Sequence, residues 1–74
     1  MMQTKFIIQM TMPSRSDLEY FYCGEGKSGA QVFELKKSKA KRYSFLEEAD
    51  RDARILNIVE KGNAFKVITV RCRV

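Results

Sequence analysis

A chain of 74 residues with a net charge of +5, from 14 Lys and Arg against 9 Asp and Glu, and 45% apolar residues makes one domain, 1–74, near the lower size limit for a single core. That size excludes a core combined with a deep catalytic cleft, and the apolar share excludes a disordered chain. The positive balance has two readings, contact with something acidic or solubility alone.

Lys5 to Thr11 reads as a strand, with Phe6, Ile8 and Met10 alternating onto one face and Lys5, Gln9 and Thr11 opposite. Ile7 interrupts the polar side, so that face is expected to be partly covered. Met12 to Asp17 holds the only proline among small polar residues and marks a turn or loop. Glu19 to Cys23 is a second strand, rich in aromatics. Gly24 to Gly29 is a glycine-rich connection, and Ala30 to Leu35 a third strand, so the two strands form a hairpin. Ser44 begins a helix, with Glu47 completing a capping box. Leu46, Ala49, Ala53 and Leu56 share one face of that helix. Glu47 with Arg51, and Asp50 with Arg54, are acid-first pairs four residues apart. Gly62-Asn63 is the stop signal. Phe65 to Val74 closes the chain as a strand, with Ile68, Val70, Cys72 and Val74 alternating inward and Thr69, Arg71 and Arg73 outward. The predicted class is α+β, in the order β-β-β-α-β: a small, mostly antiparallel sheet of about four strands with one helix packed on one face.

Two cysteines, Cys23 and Cys72, and no histidine argue against a structural zinc. Both read as buried or half-buried strand residues, able to bond only if their strands are neighbours. Met1 to Thr11 lacks the marks of a signal peptide, and no segment approaches the ~20 apolar residues of a membrane span. The expectation is a cytoplasmic protein, without membrane contact, whose thiols stay reduced.

The strongest electrostatic feature is the run Lys36-Lys37-Ser38-Lys39-Ala40-Lys41-Arg42 ahead of the helix. It either lies along a phosphate backbone or an acidic protein surface, or is a solvated connection. Gly24-x-Gly26-x-x-Gly29 has the letters of a dinucleotide fingerprint, but it opens a strand where that motif must open a helix. A hairpin tip carrying Lys27 is the expected structure, able to offer amides to a phosphate. Tyr20 and Tyr22, beside Arg71 and Arg73, are candidates for stacking on single-stranded nucleic acid, or else they fill and cover the core. Glu47, Glu48, Asp50 and Asp52 gather at the helix start, where the dipole alone favours acids. With no histidine and no paired nucleophile and base, no enzyme and no cofactor are expected. The candidate partner-binding set is Lys27, Lys36, Lys37, Lys39, Lys41, Arg42, Tyr20, Tyr22, Arg71 and Arg73.

Lys39-Ala40-Lys41-Arg42-Tyr43-Ser44-x-x-Glu47-Glu48-Ala49, followed by a closing strand, resembles short phage and prophage accessory proteins, over about half the chain. The resemblance implies a mobile-element protein of the group that includes inhibitors of host defence, such as anti-CRISPR proteins. It carries over no catalytic residue. The expected function is non-enzymatic binding of a host protein or protein–nucleic-acid complex through the basic surface. The alternatives are direct nucleic-acid binding and, more weakly, sequestration of a nucleotide by an oligomer. A sheet edge paired across a two-fold axis would give a homodimer.

Overall fold

A computed structural model describes residues 2–60 and 62–73. Strand β1 (Met2–Met12) turns at Pro13-Ser14 into β2 (Arg15–Glu25), which leads to the short β3 (Gln31–Glu34). A 3₁₀ turn over Lys37–Lys39 precedes the helix α1 (Leu46–Val59), and β4 (Ala64–Arg73) ends the described chain. The sheet order is β3-β2-β1-β4 with every pairing antiparallel. This is the predicted β-β-β-α-β α+β fold. The turn or loop expected within Met12 to Asp17 is a two-residue turn at Pro13-Ser14, and a register shift follows Thr11.

The helix covers one face. Ala49, Ala53 and Leu56 pack on Ile8, Met10, Tyr22, Tyr43 and Phe65, with Phe6, Tyr20, Phe33 and Val67 around them. The two alanines allow a close approach of helix to sheet, and Leu56 fills the remaining space. Leu46, predicted on this face, is instead 52% exposed: it is the first helical residue, and contact with the sheet begins at Ala49. The capping box is also corrected. Phe45 is the N-cap and no side chain caps the helix; the Ser44 hydroxyl instead accepts a hydrogen bond from Lys5 Nζ at 2.9 Å. Asp50 pairs with Arg54 at 3.0 Å as predicted, while Arg51 turns to its neighbour Asp52 at 3.7 Å and leaves Glu47. The chain reverses after the helix at Gly62, whose φ of +96° suits a residue without Cβ.

The opposite face has a smaller cluster: Ile7, Phe21 and Ala40, with Ile68 and Val70 packed against it. Ile7 is 1% exposed and Ile8 0%, so adjacent residues of one strand anchor two cores. Ile68 and Val70 therefore point inward, as expected, but to the face away from the helix; Val74, expected inward with them, lies outside the described residues. The inward residues facing α1 are Phe65 and Val67.

The connection between β3 and α1 passes through the plane of the sheet. The pairing of β1 with β2 ends at Gln9 and Phe21. Beyond it, Lys41 N–H donates to the Tyr22 carbonyl at 2.8 Å, while Phe6 and Tyr43 exchange main-chain hydrogen bonds of 2.9 and 2.8 Å. Residues 41–43 thus fill the gap between two diverging strands. Ala40 lies on one face of the sheet and Tyr43 on the other. Gly24 sits beside this crossing with φ +97°, and a Cβ there would meet Lys41 Cδ at 3.6 Å.

Candidate functional site

The crossing divides the cationic run between the two faces. On the face away from the helix, Lys37, Ser38 and Arg42 rise from the connection opposite Ile7, Val70 and Cys72 of the sheet. The β4 segment Thr69–Cys72 forms the far wall. Together they enclose an open groove of about 400 Å³. Its floor is apolar, and among the described residues no Asp or Glu lines it. Arg71 belongs to the wall, although strand alternation places its side chain on the same face as Phe65 and Val67. Lys37, Arg42 and Arg71 are all exposed. The salt bridges among the described residues are Arg15–Asp17, Arg51–Asp52 and Asp50–Arg54, and none involves a cation between Lys36 and Arg42.

Lys41 projects to the other face. Its Nζ stands 5.0 Å from the centre of the Tyr43 ring. It lines a second cleft, of about 320 Å³, with Tyr22, Glu25, Gln31, Asp52, Ile55 and Leu56. That cleft has carboxylates of its own. Tyr43 OH donates to Asp52 Oδ2 at 2.7 Å and Tyr22 OH to Gln31 Oε1 at 2.6 Å. Burial, then the Asp52 hydrogen bond and charge, push the Tyr43 phenol well above the ordinary tyrosine value. Burial, then the charges of Asp52 and Glu25, raise Tyr22. Both rings are structural.

The predicted partner-binding set is therefore only partly gathered. Lys37, Arg42 and Arg71 meet at the groove, and Ser38 and Thr69 join them. Lys36 and Lys39 are exposed on the same connection but line neither cavity. The Lys39 charge acts on Cys23, where burial and then Glu34 raise the thiol pKa and Lys39 opposes them. Lys27 is exposed at the hairpin tip and Arg73 near the end of β4; neither lines the groove or the second cleft. Of the two readings offered for Tyr22, stacking on nucleic acid or filling the core, the second fits: the residue is 6% exposed and its ring is packed 5.7 Å from Phe33. Tyr20 is half-buried against the same core.

Gly24 to Gly29 is a hairpin end, as expected. Gly26 N–H donates to the Ala30 carbonyl and Gly29 N–H to that of Gly26, and Gly29 has φ +82°. Cys23 and Cys72 are free and half-buried; their strands are separated by β1, so they are not neighbours. Among the described residues no group of three or more Cys, Asp or Glu is placed to hold a metal ion, and no helix is long and apolar enough to cross a membrane.

Two surface features carried little signal in the sequence. Ser38 and Thr69 belong to the groove only because the crossing brings the connection over β4. Ile55, Ile58 and Val59 leave an apolar stripe exposed on α1 beside the buried one, visible in sequence only as a second set at helical spacing. Compared with known proteins, the chain matches no family model, no curated protein and no solved structure.

Proposed function

We propose that this protein is a non-enzymatic interaction module that binds an acidic face of a host macromolecule in the groove between Lys37, Arg42 and the Thr69–Cys72 wall. One observation carries the reading: cations with no ion pair among the described residues stand over an apolar floor of Ile7 and Val70, in a groove that no described Asp or Glu lines. An acidic, amphipathic protein segment fits that surface. Its carboxylates would meet Lys37 and Arg42, and an apolar side chain would lie on the floor, where contact displaces water. The resemblance of Lys39 to Ala49 to phage accessory proteins is the reason to seek the partner among host macromolecules.

The test is a pull-down from nuclease-treated host lysate, with the Lys37→Glu/Arg42→Glu double variant beside the unaltered chain. A partner retained by the unaltered chain and lost by the variant supports the reading. Equal retention by both overturns the groove as the contact. The change is expected to leave stability within about 0.5 kcal/mol, since both residues are exposed and have no ion pair among the described residues.

A second reading, direct nucleic-acid binding, draws on the same cations through phosphate contacts, but without the buried Tyr22 as a stacking ring. It requires affinity that falls with salt by a log–log slope of about −0.7 to −0.9 per neutralised phosphate. Absence of any mobility shift at low salt removes it. Sequestration of a small nucleotide in the groove is the third reading, and it requires thermal stabilisation by a nucleotide.

A further inference from the structure

The outer edge of β4 is open, and its hydrogen-bonding pattern is fixed by what lies on either side of β1. Phe6 exchanges its main-chain bonds with Tyr43, away from β4. Phe6 is directly opposite Thr69 in a register that runs unbroken from Met2–Arg73 to Thr11–Ala64. In an antiparallel ladder, facing residues either exchange both bonds or turn both groups away. Thr69 therefore points its N–H and C=O outward, and so do Phe65, Val67, Arg71 and Arg73.

The outward groups of Phe65 are already occupied. Asn57 of α1 reaches over the edge, its Nδ2 donating to the Phe65 carbonyl at 3.3 Å and its Oδ1 accepting from the Phe65 N–H at 3.1 Å. The side-chain amide stands in for a neighbouring strand and closes that end. Among the described residues nothing bonds the outward groups of Val67, Thr69, Arg71 and Arg73, and neither a proline nor a register shift protects them. The opposite edge, β3, is only 4 residues long.

We propose that the open part of β4 pairs with the same segment of a second copy across a two-fold axis at Val70. With that centre Val67 faces Arg73 of the other copy, Thr69 faces Arg71, and every outward group from Val67 to Arg73 gains a partner. Val70 faces itself and Ile68 faces Cys72, so an apolar row forms on the groove side. No like charges are directly opposed. A centre at Thr69 would set Arg73 against Phe65, where Asn57 sits. A centre at Arg71 would oppose two guanidinium groups. The Asn57 plug thus selects the register. The second copy also brings its Arg71 beside Thr69, on the helix face of the sheet. This pairing does not depend on what the groove binds.

Sedimentation equilibrium of the full chain across a wide concentration range is the test, with Thr69→Pro as the first variant. The lost N–H points outward, so the protomer keeps its ladder, while the dimer loses a central bond. The expected result is a concentration-dependent dimer whose dissociation constant rises at least about tenfold in Thr69→Pro, with an unchanged far-UV spectrum. Should that variant fail to fold, Thr69→Arg, at an exposed position, opposes Arg71 of the other copy and must weaken the dimer likewise. In a Cys23→Ser/Cys72→Ser background, Val70→Cys is expected to form an interchain disulfide, because self-facing residues of this kind have Cα atoms about 4.5 Å apart. A chain that stays monomeric at every concentration overturns the proposal, as does a dimer that both Thr69 variants leave intact and Val70→Cys fails to link.

Discussion

The two faces of the sheet are built on different terms. Under α1, eight buried residues from three strands, the crossing and the helix form one closed cluster, and its two phenols are hydrogen-bonded. On the other face, Ile7, Phe21 and Ala40 are covered only by the connection, and beside them the cover opens into the basic groove. The difference teaches where each property resides. Stability is concentrated on the helix side, where a change in volume has nowhere to go. The open face tolerates incomplete cover, and that incompleteness makes a surface a partner can use.

Ile7 and Ile8 give the sharpest test of this contrast, because they are neighbours in one strand with equal burial. Ile8→Ala leaves a void enclosed by helix and sheet and is expected to cost about 4 kcal/mol. Ile7→Ala removes the same atoms, but the space adjoins the groove, where the cover can settle or water can enter. Its expected cost is about 2.5 kcal/mol, at the lower end of the same range. Denaturant unfolding of both variants checks the difference. Equal losses would mean that the connection packs as firmly as the helix and that the contrast fails.

Tyr43→Phe probes the polar part of the closed face. It removes the bond to Asp52, a charge-assisted contact to a partly exposed carboxylate, at an expected cost of about 1.5 kcal/mol. Alkaline unfolding gives the second readout. Tyr43 and Tyr22 are both raised above the ordinary tyrosine value of about 10. Below that pH the phenols are neutral in both the folded and unfolded chain, and their contribution is fully present. Above it the unfolded chain releases these protons while the folded chain retains them, so stability falls as pH rises from about 10 upward. Tyr43→Phe is expected to flatten that decline without abolishing it, since Tyr22 remains. An unaltered slope would show that Tyr43 ionises freely in the fold.

The strands, the helix and their order were legible because alternation and the Ala49–Ala53–Leu56 spacing reflect burial directly. The helix start was misread for a physical reason. Ser44-x-x-Glu47 is a local signal, and Lys5, distant in sequence, takes the hydroxyl. The face of Ile68 and Val70 was unreadable, because alternation sorts residues into two sets without saying which set the helix covers. Ile7 was the exception: an apolar residue on the polar side, correctly read as partial cover. The cationic run was legible as charge but not as geometry, since nothing in its composition shows that the chain crosses the sheet between Ala40 and Tyr43. The same crossing removed Tyr22 from the surface by giving its carbonyl to Lys41 and closing the core over its ring.

That crossing also supplies the smallest and most selective prediction. Lys41 and Arg42 are adjacent, both exposed and both cationic, yet they serve opposite faces. Lys41→Ala removes an ammonium 5.0 Å from the Tyr43 ring, at an expected cost of about 0.5 kcal/mol of stability, and leaves the groove cations in place. Arg42→Ala touches no ion pair among the described residues and is expected to change stability by less than about 0.5 kcal/mol, while weakening retention of an acidic partner. The two measurements, a melting curve and a binding titration, should rank the variants in opposite orders. If both variants lose binding equally, the cationic run acts as a diffuse patch. The groove, and with it the functional distinction between the two faces, would then have no separate part in recognition.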